Sequence, residues 1–166
     1  MKNICIVAVD IRSTHNVGSL IRTADGLSAE VILCGITPRP KNLNNEDRLP
    51  HVIEKTHSAI SKTALGAEDS VKIQYFKSVK EAITELKNKN YEIYALEQSS
   101  TSRPITELVA DKNIAILLGP EVEGLPKDIQ DMCNKTYEIP MFGEKESYNV
   151  AIAAGIALYQ ARLNEI

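Results

Sequence analysis

Two short runs of the chain, Ile4 to Val9 and Ile114 to Leu118, contain no polar residue. A strand with one face in water alternates apolar and polar residues, so runs of this kind belong in a sheet covered on both faces. Between them lie stretches whose apolar residues recur at helical spacing. Val17, Leu20, Ile21 and Ala24 form one stripe; Val79, Ala82, Ile83 and Leu86 form another, behind the capping-box pattern of Ser78 and Glu81. Val31 to Cys34, Val71 to Phe76, Tyr91 to Leu96 and Tyr137 to Ile139 read as further strands. His57 to Leu65, Pro126 to Met132 (with proline at the first helical position) and Asn149 to Asn164 read as further helices. The alternation predicts an α/β fold, a mostly parallel sheet flanked by helices. No repeat, low-complexity segment or linker interrupts the 166 residues, so one domain is expected.

Composition narrows the partners. Nineteen basic residues against 22 acidic ones leave a net charge of −3, which excludes a strongly cationic nucleic-acid binder but not a local basic face. The longest apolar run, Val150 to Tyr159, is too short for a membrane span. Cys5, Cys34 and Cys133 are isolated and odd in number, and His15, His51 and His57 have no metal-binding spacing. Neither a disulfide framework nor a metal is expected, and a reducing, cytoplasmic compartment fits. Dinucleotide, P-loop and nucleophile-elbow motifs are missing.

Ligands of open α/β sheets sit beyond the carboxyl ends of the strands, which directs attention to three segments. In Asp10 to Arg22, Asn16 is placed to cap the first helix, with Arg22 further along it. This is either an N-cap with a solvated arginine or an anion site built from a guanidinium fork and a helix start. His15, beside the cap, either bonds locally or carries protons. In Gly119 to Gly124, glycines flank Glu121, as a plain turn or as a loop that lets a ligand approach the backbone. In Pro140 to Asn149, Ser147 or Asn149 is placed to cap the last helix. A long proline- and asparagine-rich loop spans Gly35 to Leu49.

Together these segments resemble the SpoU/TrmH family of RNA ribose 2'-O-methyltransferases, in the SPOUT superfamily. Asn16, Gly18 and Arg22-Thr23-Ala24 are similar to its first motif. Gly119, Glu121, Gly124 and Leu125 are similar to its second. Ile139-Pro140-Met141 with Ser147, Asn149, Val150 and Ala151 are similar to its third. Tyr148 departs from the family's usual leucine, and Pro120 from its frequent asparagine. The resemblance covers nearly the whole chain and is that of a minimal form without an added RNA-binding domain.

The resemblance implies a C-terminal deep trefoil knot, S-adenosylmethionine as donor, no metal, and a homodimer with the active site near the subunit interface. It assigns donor binding to Leu96, Gly119, Ile139, Met141, Ser147 and Asn149, and catalysis to Asn16, Arg22, Glu121, Ser147 and Asn149. Arg22 is expected to clamp the phosphate beside the target ribose, with Asn16 and Glu121 fixing the arginine and the loops and Asn149 helping to order the donor pocket. The expected RNA contacts are Arg12, Arg22, Arg39, Lys41, Arg48 and Arg103, with tRNA favoured over rRNA. The alternatives are a non-catalytic RNA-binding or assembly protein on the same fold, or a methyltransferase acting on a base nitrogen.

Overall fold

A computed structural model describes residues 1–44 and 46–163. The elements in chain order are β1 (Ile4–Val9), α1 (Thr14–Gly26), β2 (Glu30–Cys34), α2 (Pro50–Ala64), α3 (Ala67–Ser70), β3 (Ile73–Phe76) and α4 (Val79–Asn88), followed by β4 (Glu92–Leu96), β5 (Arg103–Pro104), β6 (Ile114–Leu118), α5 (Lys127–Gln130), β7 (Lys135–Glu138) and α6 (Val150–Arg162). The strands form one sheet in the order β3-β2-β1-β6-β4-β7-β5. Each of its six pairings is parallel.

The two runs without polar residues lie side by side at the centre, Ile4 opposite Ile114 and Ala8 opposite Leu118. Every residue of both is buried. Their alternating side chains divide between two cores. Ile4, Ile6 and Ala8 join Leu20, Ile21, Ile60 and Leu158 under α1, α2 and α6. Cys5, Val7 and Val9 join Ile83, Leu86 and Ile129 under α4 and α5. Cover on both faces is what the unbroken apolar runs require.

Close helix contacts hold α1 in place. At Gly18 a Cβ would come within 2.1 Å of Thr63 Oγ1 and 2.3 Å of the Ile60 carbonyl on α2. Thr63 in turn donates to the His15 carbonyl at 3.0 Å. At the end of α6, the buried Arg162 donates to the carbonyls of Leu27, Lys2 and Ser28 at 2.9, 2.8 and 2.7 Å. The expected end of this helix at Asn164 lies outside the described residues.

Some boundaries differ from the sequence reading. α2 starts at Pro50 rather than His57, because its first turns are largely exposed and carry no apolar stripe to announce them. Pro126 occupies the cap position (φ −55°, ψ 145°), one residue before the helix rather than inside it. Arg103, expected in a loop, pairs with Tyr137 as the first residue of the edge strand β5.

The 35–49 loop engages two of the expected RNA contacts within itself. Arg39 is buried, with its guanidinium 3.8 Å over the Tyr75 ring and its Nη2 2.5 Å from Asp47 Oδ1. Arg48 donates to the carbonyls of Arg39 and Pro40 at 2.7 and 3.1 Å, and to Glu46 Oε2 at 2.5 Å. Both cations therefore close the loop on itself instead of projecting to a ligand.

Two predictions follow from this packing. Gly18→Ala should lower stability by about 1–3 kcal/mol through overpacking against α2, read from the urea unfolding midpoint; an unchanged midpoint would contradict the contact. The hydrogen bond from Arg48 holds the Glu46 carboxyl at about 2, below its usual 4.5. A depressed folded value stabilises the loop above the unfolded value, and that contribution is lost as pH falls. The Tyr75 ring resonances should therefore shift near pH 2, and a midpoint near 4.5 would contradict the pairing.

Candidate functional site

The segments after β1, β4, β6 and β7 converge at the carboxyl end of the sheet. Ser13, not Asn16, caps α1: its hydroxyl accepts from the Asn16 backbone N–H at 3.2 Å. The Asn16 side chain, only 9% exposed, is thereby available for another purpose. Its Nδ2 donates to Glu121 Oε1 at 2.5 Å, and its Oδ1 accepts from Asn149 Nδ2 at 3.1 Å. Asn149 also caps α6, its Oδ1 accepting from the Ala151 N–H at 2.9 Å. One amide thus joins groups 105 and 133 residues away in the chain.

Beside this junction lies a cavity of about 310 Å³. Among the expected residues, Leu96, Gly119, Glu121, Ile139 and Ser147 line it. Met141 and Asn149 are outside its lining, and Asn149 serves the junction instead. Glycine is required at both ends of the second motif. A Cβ on Gly119 would come within 2.6 Å of the Gly124 and Leu125 backbone. Gly124 has φ +68°, and a Cβ there would meet Glu97 Oε2 at 2.6 Å. The loop folds back on itself too closely for a side chain at either glycine.

Glu97 and Gln98 were not among the expected site residues. Glu97 accepts from the Leu125 N–H at 2.8 Å and from the Gln98 N–H at 3.1 Å. Gln98 Nε2 donates to the Glu146 carbonyl at 2.8 Å. This dipeptide staples the end of β4 to both neighbouring loops. The one signal available beforehand was its place, two polar residues directly after a strand on the ligand side of the sheet.

The cavity wall is acidic. Glu97, Glu121, Glu123, Glu138 and Glu146 all line it, together with Tyr148, and none of its lining residues is lysine, arginine or histidine. Arg12 approaches Glu123 at 3.6 Å, between side chains 75% and 58% exposed, a geometry worth little in water. Glu138 accepts from the Ser102 hydroxyl at 2.6 Å.

The cations lie elsewhere. Arg22 is exposed on α1, outside the cavity lining, and without a hydrogen-bond or ion-pair partner among the described residues. Asn16 and Glu121 therefore hold each other and the loops, as expected, while neither bonds the arginine. Lys41, 3.8 Å from Glu54, and Arg103, 3.9 Å from Glu107, keep partly exposed side chains. His15 is exposed, and its carbonyl accepts from Thr63. No cluster of three or more His, Cys, Asp or Glu suited to a metal occurs among the described residues. Burial pushes the Cys34 thiol up to about 12 and raises that of Cys5 as well, so neither supplies a thiolate nucleophile. No helix among the described residues is long and apolar enough to cross a membrane.

The chain as a whole has counterparts among known proteins. The chain is 29% identical over 157 residues to the 23S rRNA (guanosine-2'-O-)-methyltransferase RlmB of Xylella fastidiosa, covering 94% of this chain and 57% of that one. It thus spans less than two thirds of that relative's length. An AdoMet-bound rRNA methyltransferase from Sinorhizobium meliloti superimposes with a TM-score of 0.79 at 25% identity, over 99% of this chain and 57% of the other. A structure described by the 2-OH methylation of C/U34 on tRNA superimposes with a TM-score of 0.75 at 22% identity, over 99% and 97% of the two chains, and shows the shared fold. With residues 3–159 matched by that family's model, the chain belongs to the SpoU rRNA Methylase family.

Proposed function

We propose that this chain is an RNA ribose 2'-O-methyltransferase domain that uses S-adenosylmethionine. The observation that carries this is the Asn16 amide, which ties the three family motifs together beside the cavity. The glycine-tight floor at Gly119 and Gly124 suits a donor recognised through backbone groups, with Leu96, Ile139 and Ser147 completing the wall. Met141 and Asn149 support the pocket from outside its lining.

When bound, the cofactor supplies an activated methyl group, which is why no metal is needed. The protein's part is to orient the donor, bring the ribose hydroxyl into line and hold the RNA. Asn16, Glu121 and Asn149 keep the loops in register, and Ser147 faces the same cavity. A guanidinium is a poor base, so Arg22 is given another role. It clamps the phosphate beside the target ribose and lowers the hydroxyl's pKa through its charge. Arg12, Lys41 and Arg103 add phosphate contacts. Transfer RNA is the substrate to test first, ribosomal RNA second.

A deep trefoil knot belongs to this proposal. β7 lies between β4 and β5, yet the chain leaves it to reach α6, which packs beside α1 on the other half of the sheet. On the way, residues 139–149 are bound to Gln98 on one side and Asn16 on the other, which supports threading through a loop. A homodimer is proposed from α6. Ile152, Tyr159 and Leu163 remain exposed and, with half-buried Ile156, form one apolar stripe along the helix. The unpaired cysteines, Cys5 and Cys34 buried and Cys133 partly so, support a reducing, cytoplasmic location.

Incubation with labelled donor and total tRNA or rRNA, followed by nucleoside analysis, should yield a 2'-O-methylated ribose; a methylated base would overturn the reading. Arg22→Ala should abolish methyl transfer while donor affinity by calorimetry stays within a few fold, and equal loss of both would refute the division of roles. Glu97→Ala should weaken donor binding about tenfold, on the order of one charged hydrogen bond, while leaving RNA affinity unchanged; Glu97→Gln, which keeps an acceptor for Leu125, should restore most of it.

A further inference from the structure

The acidic wall is out of proportion to what holding loops requires. Glu97 is bonded to backbone N–H groups, Glu121 to the Asn16 amide and Glu138 to the Ser102 hydroxyl. All of these partners are neutral donors, which bring no positive charge to the wall. Among the described residues, Arg12 at exposed Glu123 is the one cation that meets the group. Tyr148, 38% exposed, adds an aromatic ring to the same wall. Carboxylates and an aromatic face share one preference in ligand chemistry, a cation.

We propose that this cavity selects its cofactor by charge, with Glu138, Glu146 and Tyr148 favouring the cationic sulfonium donor over the neutral thioether product. The inference rests on the cofactor reading above. In the reaction the S–CH3 bond breaks and its electron pair stays on sulfur. The methyl carbon bonds the ribose oxygen, and the hydroxyl proton passes to solvent. The ligand thereby loses its net positive charge while its size changes by one methyl group. A wall that attracts the charge binds the donor and lets the spent product leave, so donor loading and product release are favoured by the same field. If the carboxylates served only to hydrogen-bond sugar hydroxyls, donor and product would be held alike.

Calorimetry on the intact protein separates these cases, using S-adenosylmethionine, its stable cationic analogue sinefungin, and S-adenosylhomocysteine. The two cations should bind at least about tenfold more tightly than the thioether at low salt. The gap should narrow to a few fold in about 0.5 M salt, as screening shortens the reach of the wall's charge. Glu138→Gln with Glu146→Gln should weaken both cations by about tenfold and leave the thioether within about twofold. Tyr148→Leu should do the same to a lesser degree. Where the double variant melts early, Glu146→Gln alone, at an exposed position, serves in its place. Equal affinity for all three ligands in the wild type, or variants that weaken all three alike, would overturn charge selection and leave the cofactor reading standing. Failure of the wild type to bind any of them would overturn both.

Discussion

The site depends on one buried amide. Asn16 uses both halves of its side chain, donating to Glu121 and accepting from Asn149. Of the polar side chains of its size, an amide offers a donor and an acceptor at fixed geometry; an aspartate in its place would face Glu121 with a second carboxylate. Because the group is nearly out of water, leaving either half unpaired costs about 1–3 kcal/mol. The second and third motif loops are therefore held to α1, and α1 is held by helix contacts at Gly18 that admit no Cβ.

That arrangement follows from the order of the strands. β1 and β6 are neighbours although more than a hundred residues separate them, so the first and second motifs emerge from adjacent strand ends. The third arrives from β7, two strands away, by way of Glu146 and Asn149. A parallel sheet delivers all of these ends to one edge, whereas an antiparallel sheet would have sent half of them to the other. The two central strands, buried on both faces, thus fix the site before any polar residue is placed.

The legible and illegible parts of the sequence divide along the same physical line. Ile4 to Val9 and Ile114 to Leu118 announced buried strands because burial on both faces leaves no polar residue. The Val17–Ala24 stripe announced α1 because one face is buried and the other is not. Asn16, Glu121 and Asn149 were legible as residues with a role, through the motif resemblance. Their mutual bonding was not, because neutral pairing across 105 and 133 residues leaves no local pattern. Arg39 and Arg48 misled for a related reason. A loop rich in charge has the same composition whether its charges face water or, as here, Tyr75, Glu46 and Asp47. Glu97 and Gln98 were silent because what they hold is largely backbone, which every residue possesses.

The choice of an amide to hold Glu121 also bears on Arg22. An ion pair with an arginine would also have oriented Glu121. It would also have occupied the guanidinium. A phosphate would then have to displace a carboxylate from its fork before binding, losing much of what the contact gives. With Asn16 satisfying Glu121, the loop is held without consuming a cation, and Arg22 stands on α1 with no acceptor of its own among the described residues. In a chain whose net charge is −3, where Arg39 and Arg48 are already committed to a loop, a junction made without a cation leaves Arg22 available for the phosphate contact proposed above.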